Sequence, residues 1–269
     1  MPDWISGWLD RLPAGQLALV FCAFFVGITW LGILVVHPLM RRLLHRNEPS
    51  NELIIHIAGT FGLVYAVLLG LLTIATFQNT KDVQDDISRE ASDLSTIYHI
   101  TEGYPEPLRR ELKIELRDYT HYVIDKDWPA HRIGLVPEGG EHRLQVFRST
   151  LMSYEPATKT HELLHSELLR YLDAMMVSRE QRLAAVTASI PRVLWYVVFI
   201  GAFLMIAFLW MLHMELVPQI LLGGITAFFL GIMIFLIYAL DRPLQGAVSV
   251  PPDSFRSVYD LVMKWDEPA

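Results

Sequence analysis

Four long uncharged apolar stretches, set as two close pairs toward the two ends of the chain, enclose a polar middle segment. A helix needs roughly 20 apolar residues to cross a hydrocarbon core of ~30 Å, and lipid offers no partner to a backbone N–H or C=O, so each must be paired within the segment. The first stretch runs from about Leu17 to Val36, the second from Ile54 to Phe77, the third from Val193 to Leu212 and the fourth from Val217 to Leu240. Charged residues stand only at their ends, as Glu52, Arg192, Glu215 and Asp241 do. With 52% hydrophobic residues and a net charge of −7, polarity and apolarity are segregated into blocks, and no soluble core of this size hides four such segments. The expected fold is all-α: a polytopic membrane protein with four transmembrane helices and a helical extramembrane domain between helices 2 and 3. The expected boundaries are an interfacial segment 1–15, spans 16–77, the helical domain 78–191, spans 192–240 and a tail 241–269.

The N-terminal MPDWISGWLDRL lacks a basic region and carries Asp3 and Asp10, so it does not read as a signal peptide. Trp4, Ile5, Trp8, Leu9 and Leu12 recur at helical spacing, which suits a short helix lying in the membrane interface. The single Cys22, inside the first span, excludes an internal disulfide and a cysteine-based metal site. Orientation rests on basic residues. Arg41, Arg42 and Arg46 crowd the turn between the first two spans, but Arg11, Lys81, Arg89, Arg179, Arg182, Arg192 and Arg242 flank the opposite side. The total count favours cytoplasmic termini and a cytoplasmic middle segment.

The middle segment has helical periodicity. Val83, Ile87, Ala91, Leu94 and Tyr98 form one stripe of a helix continuing out of the second span, broken by Gly103, Pro105 and Pro107. Leu108, Leu112, Glu115, Tyr119 and Val123 line a second helix, which is expected to end before Trp128-Pro129 because proline disfavours helix in the residue ahead of it. A loop is expected from Gly134 to Glu141, a short helix from Arg143 to Tyr154, and a long one from Thr158 to Ile190.

Chemistry is sparse. His161-Glu162-Leu163-Leu164-His165 matches H-E-x-x-H, which on a helix sets two imidazoles one turn apart for zinc. A third ligand is missing, since Glu167, Asp173 and Glu180 do not stand where the common metalloproteases place theirs. The two histidines are therefore read as exposed on a solvated face, and Asp85, Asp86, Asp125 and Asp127 as solvated charges. No catalytic residue, metal or cofactor is expected, and the chain is not read as an enzyme.

The spans speak of packing. Gly62, Ala66 and Gly70 in the second, and Gly223, Ala227 and Gly231 in the fourth, are spaced four apart and leave grooves along which another helix backbone can approach. No carboxylate or basic residue stands near a midplane, which argues against an ion-coupled pump. A passive pore lined by threonines and apolar rings is compatible with the pattern. If a pore exists, the candidate line is His56, Thr60, Leu63, Val67 and Gly70, then Thr73 and Phe77 after a slight drift; helix packing or the lipid interface accounts for the same residues equally well.

Several stretches together resemble the bestrophin-like family of bacterial membrane proteins over nearly the whole chain. They are GLVYAVLLGLLTIATFQNT at Gly62 to Thr80; Glu90 with Ala91, Leu94 and Tyr98; YTHYVIDKDWP from Tyr119 through Trp128 and Pro129; Arg179 and Arg182 ahead of IPRVLW; and Asp241, Arg242 and Pro243 with Gly246. Asp127 stands where the family more often has Glu, and Leu244 where it often has Phe. The resemblance implies a four-span subunit in the inner membrane of a bacterium. The family it resembles is distantly linked to bestrophins, which are pentameric anion channels with a pore-lining second span and a cytosolic helical domain. The implied partners are the lipid bilayer, further copies of the chain in a homo-oligomer such as a pentamer, and small ions, with no nucleic acid. The leading expectation is a passive channel for small ions, anions first. The competing one is a non-conducting membrane sensor or scaffold whose helical domain binds a partner or ligand, and a metal-dependent hydrolase comes a distant third.

Overall fold

The structure is a computed structural model and describes residues 12–43, 49–212, 214–246 and 248–266. The expected interfacial pattern from Trp4 to Leu9 and the basic residues Arg11 and Arg46 lie outside the described residues. Among these residues every regular element is a helix: α1 (Ala14–Leu43), α2 (Pro49–Ile100), α3 (Leu108–Tyr122), α4 (Trp128–His131), α5 (Gly139–Met152), α6 (Lys159–Thr187), α7 (Arg192–Met211), α8 (Leu216–Asp241) and α9 (Asp253–Val258). The chain divides into two units, one of residues up to Gln78 with Ser189–Asp241, the other of Asn79–Ala188 with the residues from Arg242 onward.

The first unit holds four helices long and apolar enough to cross a membrane. Polar side chains there bond backbone carbonyls, the threonines one turn back on their own helix and the larger ones on a neighbouring helix, since lipid offers no partner. The Tyr65 hydroxyl donates to Val198 O at 2.8 Å, Trp210 Nε1 to Thr29 O at 3.1 Å, and Gln219 Nε2 to Leu209 O and Leu212 O at the otherwise unpaired end of α7. The α1–α8 seam is the closest. A Cβ on Gly231 would stand 3.0 Å from Cys22 Cα and 3.1 Å from Phe21 O, backbone atoms that have no other place to go. Ala227 is fully buried, and Gly223 lies against Ile33 and Thr29.

In the second unit the stripe Val83, Ile87, Ala91, Leu94 and Tyr98 is buried along α2, which leaves the first unit without a break. It packs with Leu112 and Leu116 of α3, Leu144, Phe147 and Leu151 of α5, and Leu168, Leu172 and Met175 of α6. The segment after the last span, expected as a tail, contributes Phe255 and Met263 to the same core. Thr158 caps α6, its hydroxyl accepting from His161 N at 3.2 Å.

One boundary departs from expectation. The helix does not end before Trp128-Pro129, because Trp128 keeps right-handed helical angles (φ −61°, ψ −48°) and its N–H bonds Val123 O across a π-turn, Val123–Asp127. The extra residue of that turn relieves the clash that proline otherwise imposes on the preceding turn, and Pro129 sits in the first turn of α4, where no N–H is needed. The following loop is shorter than expected, since α5 begins at Gly139.

Candidate functional site

Glu90 sits three residues after Ile87 and four before Leu94, so α2 turns a carboxylate into its own apolar stripe. A charge in that position is costly unless paired and hydrogen-bonded. The partner is Arg182, delivered by α6: Nε donates to Oε2 at 2.7 Å and Nη2 to Oε1 at 3.0 Å, and neither side chain is exposed. The Tyr119 hydroxyl from α3 donates to Oε1 at 2.8 Å. Burial, then the Glu90 charge, push the Tyr119 phenol well above its ordinary range. Burial works against the charged form of Arg182, yet the Glu90 carboxylate outweighs it and holds the guanidinium firmly protonated.

The remaining Arg182 nitrogen, Nη1, stands 2.7 Å from His131 Nε2. Arginine has only donors, so Nε2 accepts, and the imidazole proton lies on Nδ1, which donates to Leu135 O at 3.0 Å. Burial and the Arg182 charge push His131 down to about 4, keeping the ring neutral. The guanidinium also lies over the rings of Trp128 at 5.2 Å and Phe255 at 5.8 Å, and Trp128 Nε1 donates to Val250 O at 2.9 Å.

Asp127 was expected as a solvated charge and is fully buried. Its Oδ2 is 3.9 Å from Arg182 Nη2, and neither oxygen has a hydrogen bond from a described residue. Burial raises it to about 6, against the opposing pull of Arg182 and Arg179. Gly140 brings the start of α5 so close that a Cβ there would stand 3.2 Å from Asp127 Oδ2 and 3.3 Å from Arg179 Nη2. Arg179 closes the rim by donating to Glu141 Oε2 at 2.7 Å. An open cleft of about 490 Å³, lined among others by Glu138, Glu141, His142 and Arg179, brings solvent to that rim. Two arginines thus face three carboxylates, and Asp127 is the carboxylate without a hydrogen bond from a described residue.

Of the signature residues, Glu90, Tyr119, Trp128, Arg179 and Arg182 meet in this network, and Pro129 shapes the turn that supports it. Asp241, Arg242 and Pro243 lie apart: Asp241 Oδ1 accepts from Ile190 N at 2.6 Å, Arg242 Nη1 donates to Gln245 Oε1 at 3.2 Å, and Pro243 O accepts from Val250 N at 2.8 Å. The sequence reading missed His131. The signal was present, since Tyr119, Val123, Asp127 and His131 continue one line at intervals of four, all buried. It was cut short by the helix end expected at Trp128.

The candidate pore line on α2 is turned away from the other spans of the chain. His56, Thr60, Leu63, Val67 and Phe77 are exposed, and Gly70 and Thr73 half-exposed. Ala66 is exposed too, Gly62 meets only the tip of Met205, and a Cβ on Gly70 would meet nothing within 4 Å. The histidines of the H-E-x-x-H match are half-buried rather than exposed: His161 Nδ1 pairs with the Tyr154 hydroxyl at 2.9 Å and His165 Nδ1 with that of Tyr104 at 3.0 Å. Among the described residues no three or more His, Cys, Asp or Glu side chains gather as a metal site.

The fold is that of solved bacterial bestrophin homologs. A crystal structure of the homolog from Klebsiella pneumoniae superposes with a TM-score of 0.68 at 14% identity, covering 91% of this chain and 99% of that one. A point-substituted form of a Klebsiella pneumoniae bestrophin homolog gives 0.67 at 14% identity over 90% and 98%. No curated protein sequence is significantly similar. The model of the bestrophin-like domain matches residues 23–255, which takes in most of α1, the other three spans and the buried network, and the chain belongs to the bestrophin-like family.

Proposed function

We propose that this chain is one subunit of an oligomeric membrane channel that passes small ions, anions foremost, passively along its second span. The observation that carries the reading is the bareness of α2. Only 11% of its apolar window is buried within the chain, against 22% for α7 and 33% for α1 and α8. A helix so little covered by its own subunit has a face free for further copies around an axis, and on that face lie the threonines and small residues of the candidate line. Thr60 and Thr73 hydroxyls donate to carbonyls one turn back, at 3.0 and 2.8 Å, leaving their oxygen lone pairs outward. With no fixed charge among Thr60, Leu63, Val67, Gly70 and Thr73, selectivity would come from width, dipoles and dewetting of apolar rings. Family membership supports the reading by analogy with bestrophins, and by the same analogy the proposed oligomer is a pentamer with its helical unit on the cytoplasmic side.

Chloride efflux from liposomes holding the purified protein tests it. On a Cys22→Ala background, Val67→Cys and Thr73→Cys are expected to lose conduction on reaction with a charged thiol reagent, while Ile225→Cys, exposed on α8, keeps it. Absence of any ion flux from the unmodified protein would sink the proposal.

A further inference from the structure

His161 and His165 stand one turn apart near the start of α6, each with the same edge of its ring already engaged. Thr158 fixes the beginning of that helix, its hydroxyl accepting from His161 N, so the first turn does not fray. Leu164, between the two histidines, seats α6 against the 3₁₀ turn Thr101–Gly103 that follows α2: a Cβ on Gly103 would collide with Leu164 Cδ1, and Tyr104 is the next residue. Tyr154 arrives from just beyond α5 and meets Tyr104 edge to face, with ring centroids 5.2 Å apart.

The two tyrosines hold the two histidines by Nδ1, Tyr154 Oη pairing with His161 at 2.9 Å and Tyr104 Oη with His165 at 3.0 Å. The Tyr154 ring also lies against both imidazoles, 6.3 Å from that of His161 and 6.1 Å from that of His165. Nε2 of each half-buried ring bonds no described residue and faces solvent. Residues four apart on a helix have Cβ atoms ~5–6 Å apart, close enough for two imidazoles to share one ion. A neutral imidazole that donates Nδ1–H to an oxygen carries its lone pair on Nε2, the arrangement that orients metal-bound histidine. Burial lowers the pKa of His165 and so favours the neutral ring that a metal requires.

We propose that His161 and His165 form a two-histidine site for a divalent transition ion, zinc foremost, which binds both Nε2 atoms while Tyr154 and Tyr104 orient the rings from Nδ1. Imidazole selects such ions over magnesium and calcium, which take oxygen ligands. No third His, Cys, Asp or Glu gathers there among the described residues, and Glu162 bonds Lys159 Nζ at 2.9 Å. Two protein ligands are fewer than a structural or catalytic zinc centre uses, so water completes the shell and the ion exchanges. The four residues all belong to the helical unit, and the site stands whether or not the spans conduct.

The test uses the full chain, purified in detergent and stripped with a chelator, then equilibrated with zinc chloride while bound zinc is measured per chain. A saturable equivalent is expected, and excess magnesium should not displace it. His161→Asn and His165→Asn keep an amide for the tyrosine hydroxyl but remove Nε2, and each should weaken binding at least roughly tenfold. Tyr154→Phe and Tyr104→Phe keep the rings and remove the oxygen at Nδ1, and should weaken it by about tenfold. His121→Asn, exposed on α3, should leave it unchanged. Absence of a saturable equivalent from the unmodified chain overturns the proposal, as does full affinity in either histidine variant. Affinity indifferent to both tyrosine changes overturns the orienting role.

Discussion

Arg182 grips both carboxylate oxygens of Glu90, a residue 92 positions earlier in the chain, with neither side chain exposed to solvent. Desolvation of two charges offsets much of their attraction, so such a pair adds little net stability, but one member alone is a buried unpaired charge. In this arrangement α2, α3 and α6 meet with the Glu90 oxygens bonded by Arg182 and Tyr119.

Glu90→Met or Arg182→Met is expected to destabilise the helical unit by about 3–5 kcal/mol. The double replacement Glu90→Met with Arg182→Met is expected to cost clearly less than the sum. Unfolding in detergent read through a double-mutant cycle gives the coupling, and additive losses would show that the two side chains do not act as a pair.

Asp127 and His131 oppose each other in pH. Asp127, raised from 3.8 to about 6, holds a proton in the folded state that the unfolded chain has released, so its contribution is present below 3.8 and lost as pH rises through 6. His131, lowered from 6.5 to about 4, does the reverse: its contribution is present above 6.5 and lost as pH falls toward 4. Each amounts to about 3 kcal/mol over its window. Between pH 4 and 6 the two slopes nearly cancel in the native protein. Asp127→Asn should leave stability that rises with pH across that range, and His131→Gln stability that falls. Melting temperatures at pH 4, 5 and 6 decide the matter, and three parallel profiles would refute it.

The two grooves of small residues should respond differently. Gly231→Ala forces apart the backbones of α1 and α8 and is expected to cost about 1–3 kcal/mol. Gly70→Ala, with nothing within 4 Å, should not lower the stability of the single chain, and alanine's helix preference should raise it by up to about 1 kcal/mol. Thermal unfolding of the monomeric fraction in detergent distinguishes them.

Phe255 is fully buried beside Trp128 and Arg182, so Phe255→Ala should lower the stability of the helical unit by about 3–5 kcal/mol. Trp265, on the same C-terminal segment, is 81% exposed, and Trp265→Ala should change it by less than about 0.5 kcal/mol. Equal effects would mean that the segment is not built into the core as described.

The four spans were legible because the requirement of a membrane is local: a run of apolar residues must pair its own backbone whatever lies around it. The stripe from Val83 to Tyr98 was legible for a related reason, since helical periodicity marks a face before its partner is known. The line Tyr119, Val123, Asp127 and His131 was half legible. Proline chemistry at Trp128-Pro129 argued for an end, and only the π-turn, which no residue pattern announces, carried the helix past it.

Pairing was not legible at all. Composition marked Gly62, Ala66 and Gly70 and Gly223, Ala227 and Gly231 as equivalent grooves, and the fold set one against α1 and left the other bare. Asp127 looked like any solvated carboxylate, and became a buried group poised near pH 6 once α5 closed over it at Gly140. The sequence by itself determined where helices form and which of them are apolar enough for lipid, because those properties depend on neighbours within a turn. Only the tertiary structure decided which charges meet, since the attraction of Glu90 for Arg182 depends on distance and burial across 92 positions of chain.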